Sequence, residues 1–393
     1  MNTKKICEDV IWVGADDRRL ALFENIYPLP NGVSYNSYLI LDTKTVLMDA
    51  ADASVADIFF ENVEDTLNGR KLDYVVVQHM EPDHSATLAT LLKKYPEATV
   101  VCNAKTETMI HQFFGAEVTI SPKIVKEGDV LQIGKHSLQF IMAPMVHWPE
   151  VMMTYDQTRK ILFSADAFGS FGTLDGAIFA DEVNFEENYL DEARRYYANI
   201  VGKYGAPVQT VLKKASGLDI QMICPLHGLV WRKNLDFLLD KYQHWSTYQP
   251  EEKAVVVAYA SMYGNTGRAA EKVAEKLDAE GWAVRVYDLS KTNRDFVLGE
   301  IFRASHLVLA AATHDGNLFE TMDYLLRDMI AHGMQGRKVA LIENGSWAPM
   351  AAKQMQGLLE NMKDMEIVMP IISIKSALMP NQEDDLNCLV RAF

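Results

Sequence analysis

Short apolar runs follow one another through the first part of the chain: "VIWVG", "SYLIL", "TVLMDA", "YVVVQ", "ATVVCN", "SLQFIMAP", "VMMTYD" and "KILFSAD". Runs of roughly four to eight residues bounded by polar or turn residues predict strands, and apolar positions recurring every three to four predict helices. "DIFFENVEDTLNG" and "AKTETMIHQFFG" follow the helical rule. Clustered strands with helices interspersed predict two sheets with helices outside.

The rhythm changes after "QHWSTYQPEEK", where Pro250 marks a linker. From Lys253 onward strands and helices alternate regularly: "AVVVAYA", "AVRVYDL", "HLVLAAA", "KVALIE" and "EIVMPII", separated by helical patterns such as "GRAAEKVAEKLDAEG" and "FETMDYLLRDMIAHG". Five nearly continuous apolar strands joined by crossover helices predict a doubly wound five-stranded parallel sheet, covered on both faces. The expected domains are 1–249 and 253–393.

Composition agrees with this division. A chain of 393 residues, 49% of them hydrophobic, has material for two cores. The net charge of −15, with no compensating basic block, argues against nucleic acid as a partner. The charged N-terminal stretch lacks a signal-peptide core and no run reaches the length of a membrane span, so a cytoplasmic location is expected. Cys7, Cys102, Cys224 and Cys388 are scattered, with no CxxC pair to hold zinc or an iron–sulfur centre.

In doubly wound sheets, ligands bind beyond the carboxyl ends of the strands. Three loops lie there. The first carries Ser261, Met262, Tyr263, Gly264, Asn265 and Thr266. Its small and hydroxyl residues let backbone N–H groups converge on a phosphate at a helix N-terminus. It has neither the lysine of a triphosphatase loop nor the GxGxxG spacing of a dinucleotide fold. The second carries Thr313, His314, Asp315, Gly316 and Asn317, and the third Asn344, Gly345, Ser346, Trp347 and Ala348. Each alone reads as an ordinary turn; together they suit a mononucleotide with a flat ring, which describes FMN. Trp347 is placed to cover that ring, with Tyr263 as a second candidate. This half of the chain resembles flavodoxin, whose S/T-x-x-G-N-T loop residues 261–266 reproduce.

The first half carries "HMEPDH", with His79, Glu81, Asp83 and His84 just where an apolar run stops. On an extended turn the alternation would place His79, Glu81 and Asp83 on one side, with His84 swinging back from a helix starting at Ser85. Four candidate ligands in six residues suit two metals better than one. Other apolar runs end in His147, Asp166 and His227. Singly, each could be a satisfied structural polar group.

The order of these residues resembles the metallo-β-lactamase fold superfamily, whose hydrolases carry HxHxDH followed by a His, a bridging Asp and a final His. Here Glu81 replaces the second His. A carboxylate in place of an imidazole favours a harder metal than zinc, such as iron or manganese, and stabilises its higher oxidation state.

H-x-E-x-D-H with the later His, Asp and His, followed by a flavodoxin half, resembles the flavodiiron proteins over essentially the whole chain, in the two-domain form without an appended rubredoxin. The resemblance implies an αββα metallo-β-lactamase-like sandwich ahead of the flavodoxin-like sheet. It implies iron held by His79, Glu81 and His147, a second iron held by Asp83, His84 and His227, and Asp166 bridging. Whether His84 ligates directly varies in that family. Trp148 is expected to pack near the site, and Tyr196 or Tyr197 to offer it a hydroxyl, with a core role on the helix face expected of at least one of the two.

The implied activity is reduction of O2 to water or of NO to N2O in anaerobic metabolism, with electrons passing through FMN from a rubredoxin or a reduced deazaflavin. A head-to-tail homodimer, or a dimer of dimers, is implied as well. Two other classes remain open on the sequence: a zinc-dependent hydrolase with a regulatory flavodoxin domain, and an electron carrier with a vestigial metal site.

Overall fold

The computed structural model describes residues 3–393. Its contacts divide the chain into two compact units. One holds everything up to Ala193 together with Ala206–Asp240; the other holds Arg194–Gly205 and Lys241–Phe393.

The first unit contains a seven-stranded sheet in the order Lys4–Lys5, Val10–Trp12, Tyr38–Leu41, Thr45–Met48, Tyr74–Val76, Thr99–Cys102 and Lys123–Ile124. Pairing is antiparallel as far as Thr45–Met48 and parallel beyond it. A five-stranded sheet runs Val130–Gln132, Ser137–Met142, Met152–Asp156, Ile161–Phe163 and Met222–Cys224. The two sheets pack face to face. Tyr38 of the first meets Phe163 of the second with ring centroids 5.5 Å apart, and its hydroxyl donates to the Pro225 carbonyl at 2.7 Å. The helix Ala56–Leu67 buries Phe59, Val63 and Leu67 at helical spacing, with Asn62 on the same stripe reaching the Gly14 carbonyl at 2.9 Å.

In the second unit, five parallel strands lie in the order Ala283–Asp288, Glu252–Ala260, Ala304–His314, Lys338–Asn344 and Glu366–Ile374. Numbered along the chain this is 2-1-3-4-5, so the switch point falls between Glu252–Ala260 and Ala304–His314. Val255, Val257, Val308, Ala310, Ala340 and Ile342 form a core with Val273 and Leu277 of the helix Asn265–Ala279. A final helix, Glu383–Arg391, closes this face with Leu386 and Leu389.

Residues 194–205 join the second unit because their polar side chains find partners there. Arg194 pairs with Glu251, and Arg195 Nη1 lies 2.5 Å from Asp295 Oδ2. Tyr197 packs against Tyr242, Trp245 and Phe302. It is a core aromatic of the second unit, the helix-face role expected of at least one of this pair; Tyr196, fully buried, precedes it.

Candidate functional site

All four candidates of "HMEPDH" and the three later ones come from segments that follow strands. His79 lies three residues beyond Tyr74–Val76, Asp166 three beyond Ile161–Phe163, and His227 three beyond Met222–Cys224, while His147 sits in the loop after Ser137–Met142. A single helical turn, Pro82–Ser85, begins directly after Glu81, with proline at the first position where a missing N–H costs nothing. The helix expected to start at Ser85 therefore starts at Pro82, and Asp83 and His84 lie on it.

The side chains converge as two groups. His79, Glu81, His147 and Asp166 form one, Asp83, His84 and His227 the other, with one ligand atom from each within 4.8 Å of the rest of its group. Asp83 thus leaves the company of His79 and Glu81, because the helical turn breaks the extended alternation. Asp166 faces both groups. Its Oδ2 lies 3.1 Å from His79 Nε2 and 3.2 Å from His147 Nε2, while its Oδ1 lies 3.0 Å from His84 Nε2 and 3.6 Å from His227 Nε2. Glu81 Oε2 lies 3.0 Å from His147 Nε2, and Asp83 Oδ2 lies 3.2 Å from His227 Nε2.

Backing groups fix which nitrogen is free to ligate in two of the four rings. His79 Nδ1 bonds to Glu150 Oε1 at 2.7 Å, and His227 Nδ1 to the Ser34 carbonyl at 2.8 Å. Both acceptors call for N–H at Nδ1, which leaves Nε2 as a lone pair directed at carboxylate oxygens. Asp166 Oδ2 and both oxygens of Asp83 have no hydrogen-bond donor. Lone pairs facing lone pairs in a buried site demand positive charge between them, which a pair of metal cations supplies. With only protons to meet that demand, burial raises Asp83 to about 8. His147, despite its burial, is raised to about 9 by Asp166 and Glu81.

Some of the support was not legible in the sequence. Buried Asp49 accepts from the Gln78 N–H at 2.7 Å, its Nε2 at 2.9 Å and the His79 N–H at 3.3 Å. Glu150 stands inside "HWPE", yet only the fold shows what it touches; Ser34 acts through a carbonyl, which no residue pattern reveals. Asp49, Met145, Ala165 and Phe168 take positive φ in segments that flank ligands, a strained backbone that the surrounding structure holds in place. Trp148 stands edge-on to His79 with centroids 5.2 Å apart, the packing place expected of it.

In the second unit, a cavity of about 380 Å³ opens at the strand ends, lined by residues of all three loops: Ser261, Met262, Tyr263, Asn265, Thr266, Thr313, Asp315, Gly316, Asn344, Gly345, Ser346, Trp347 and Ala348. Gly264, His314 and Asn317 are absent from that lining. Gly264 takes φ +89° and shapes the turn, its N–H donating to Ser261 Oγ at 3.1 Å. His314 lies edge-on to Phe319 at 5.5 Å, and Asn317 Nδ2 donates to the Asp315 carbonyl at 3.2 Å. Ser376, beyond the fifth strand, also lines the cavity and had no signal in the sequence. It fastens the third loop, its N–H bonding Asn344 Oδ1 at 3.1 Å and its Oγ meeting Ser346 Oγ at 2.7 Å.

The helix Asn265–Ala279 starts at this cavity without a side-chain cap, so its first N–H groups are open to an anion. Trp347 and Tyr263 stand 82% and 91% exposed at the rim, two aromatic faces available to a flat ring. Ring, hydroxyl and N–H groups together fit a flavin mononucleotide.

Comparison with known proteins supports both halves. Residues 33–228 match the ODP family beta lactamase model and residues 257–387 match flavodoxin. The anaerobic nitric oxide reductase flavorubredoxin of Aliivibrio fischeri is 33% identical over 88% of this chain and 70% of its own length. The nitric oxide reductase of Moorella thermoacetica is 30% identical over 98% of this chain and 95% of its own. The flavodiiron protein from Giardia intestinalis superposes with a TM-score of 0.93 at 26% identity, covering 99% of this chain and 96% of that one.

The chain belongs to the flavodiiron protein family. Within a flavodiiron protein, the seven converging side chains of the first unit and the loop cavity of the second are two separate pieces of chemistry. Each is built at strand ends, where backbone direction is fixed by the sheet while side chains remain free to vary.

Proposed function

We propose that this flavodiiron protein is an oxidoreductase in which electrons pass through FMN to a non-haem diiron pair that reduces O2 to water, NO to N2O, or both. The observation that carries it is Asp166, which turns one carboxylate oxygen to each group of ligands. His79, Glu81 and His147 would hold one iron, Asp83, His84 and His227 the other, and Asp166 both. His84 belongs in the set because its Nε2 faces Asp166 and Asp83, at 3.0 and 3.4 Å.

FMN and iron, when bound, supply the one-electron steps that gas reduction requires. The chain's own residues set their conditions. Glu81, Asp83 and Asp166 are hard anionic donors that favour iron and ease its oxidation. Glu150 and the Ser34 carbonyl hold His79 and His227 in the ligating tautomer. Buried walls keep bulk water from the seven ligands, each at most 8% exposed. In the second domain, the N-terminus of Asn265–Ala279 would take the phosphate, and Trp347 and Tyr263 the ring.

Domain limits of 1–249 and 253–393, a cytoplasmic location, a head-to-tail homodimer or dimer of dimers, and a rubredoxin or reduced deazaflavin as donor belong to the same proposal. No helix among the described residues is long and apolar enough to cross a membrane. The zinc hydrolase alternative is not favoured: Glu81 stands where such hydrolases carry an imidazole.

Metal and flavin analysis, followed by anaerobic turnover with each gas and a rubredoxin donor, tests the proposal. Two irons and one FMN per chain with catalytic gas consumption are expected. Two zincs with hydrolytic turnover would refute it.

A further inference from the structure

The groups behind the two sets of ligands differ in charge. His79 Nδ1 bonds to Glu150 Oε1 at 2.7 Å, and the Met80 N–H reaches the same oxygen at 2.9 Å. His227 Nδ1 has a neutral acceptor instead, the Ser34 carbonyl. Glu150 is 1% exposed, and its Oε2 has no hydrogen-bond partner among the described residues. The ligand sets themselves are balanced: Glu81 belongs to one, Asp83 to the other, and Asp166 is shared. Glu150 adds a charge behind His79 that the Ser34 carbonyl does not add behind His227.

Resting on the diiron reading above, we propose that Glu150 makes the two irons unequal. An anion hydrogen-bonded behind a ligating imidazole increases its donor strength and favours the higher charge on the metal. His79, Glu81 and His147 would therefore hold the iron that keeps its ferric charge longer, and Asp83, His84 and His227 the iron that would accept the first of two electrons. Glu150 touches no reacting atom and is a positioning residue that acts through His79.

The test compares holoprotein carrying Glu150→Gln or Glu150→Asp with the unsubstituted chain, by reductive titration followed through the mixed-valence electron paramagnetic resonance signal. Gln keeps an acceptor for His79 and Met80 but removes the charge; Asp keeps the charge. The Gln variant is expected to lower the comproportionation constant about tenfold, equivalent to about 59 mV less separation between the two one-electron steps. The Asp variant is expected to stay near the unsubstituted value. If the Gln variant sheds iron, loss of one iron with the other retained supports the inequality, and loss of both overturns it. Equal behaviour of Gln and unsubstituted protein, or of Gln and Asp, also overturns it. Iron content of the unsubstituted protein tests the diiron reading separately: fewer than two irons per chain sinks that reading whatever residue 150 is.

Discussion

Oδ1 of Asp166 lies 3.0 Å from Nε2 of His84, and both side chains are almost fully buried. The His84 ring is thus turned inward, and the same carboxylate reaches His79 with its other oxygen.

Loss of that carboxylate should empty both positions. Asp166→Ala is expected to lower iron from two per chain to none while the flavin absorbance persists, because the loop cavity shares no residue with the seven ligands. Iron retained with normal turnover would contradict the bridging role. Metal analysis on the purified variant reads the result.

Glu81 decides the metal. Glu81→His restores the imidazole of the hydrolase pattern and should shift the bound metal toward zinc and abolish gas reduction. Unchanged iron content after expression with both metals available would remove the charge argument.

The flavin should depend on its exposed tryptophan. Trp347→Ala is expected to weaken FMN binding by about 1–2 kcal/mol, roughly tenfold in Kd, if the ring covers the flavin. Fluorescence titration of the flavin-free protein would show it; an unchanged Kd would place the indole outside the site.

A histidine remote from these ligands sets a pH dependence of stability. His136 is buried between Asp156, 2.6 Å from its Nδ1, and Asp9, 2.9 Å from its Nε2. Burial opposes its charge, but the hydrogen bond to Asp156 and the ion pair with Asp9 prevail and raise its pKa. A raised pKa in the folded state means stability fully present below the ordinary value near 6.5 and lost as pH rises through the raised one. His136→Leu should therefore cost about 3 kcal/mol near pH 6, leaving Asp156 buried without its cation, and less in alkaline solution. Urea titrations of both proteins across that range give the difference; a cost that grows with pH would reverse the assignment.

Arg337 holds the second domain together without a carboxylate partner among its described hydrogen bonds. Its guanidinium is 1% exposed and donates to the carbonyls of Tyr248, Ile301, Phe302, Gln335 and Gly336. Ile301 and Phe302 end the helix Arg294–Arg303, where carbonyls lack intrahelical donors. Arg337→Met should destabilise this domain by about 3 kcal/mol, read as earlier release of flavin fluorescence in urea. Arg337→Lys, a point donor with no fork, should recover only part of that.

The element pattern was written in the chain. Strands such as Tyr74–Val76 and Lys338–Asn344 are buried on both faces or at sheet centres, so their apolar runs are uninterrupted and easily read. The regular alternation after Lys253 determined a parallel sheet, since each crossover helix must bury one face on it. The identity of the seven metal-binding candidates was equally legible, because polar residues ending apolar strands are conspicuous.

What the sequence could not decide depends on approach in space. Local alternation alone placed Asp83 beside His79 and Glu81, whereas the helical turn at Pro82 sends it to His84 and His227, the grouping that only the family resemblance had implied. Glu150 and Ser34 come from segments far apart in the chain and act on His79 and His227 through one hydrogen bond each. Residues 194–205 join the second unit through buried partners such as Glu251 and Asp295. Periodicity reports which face of an element is apolar, and residue chemistry reports what a side chain can bind. Only the tertiary structure decides which side chains meet, because that depends on how distant segments pack.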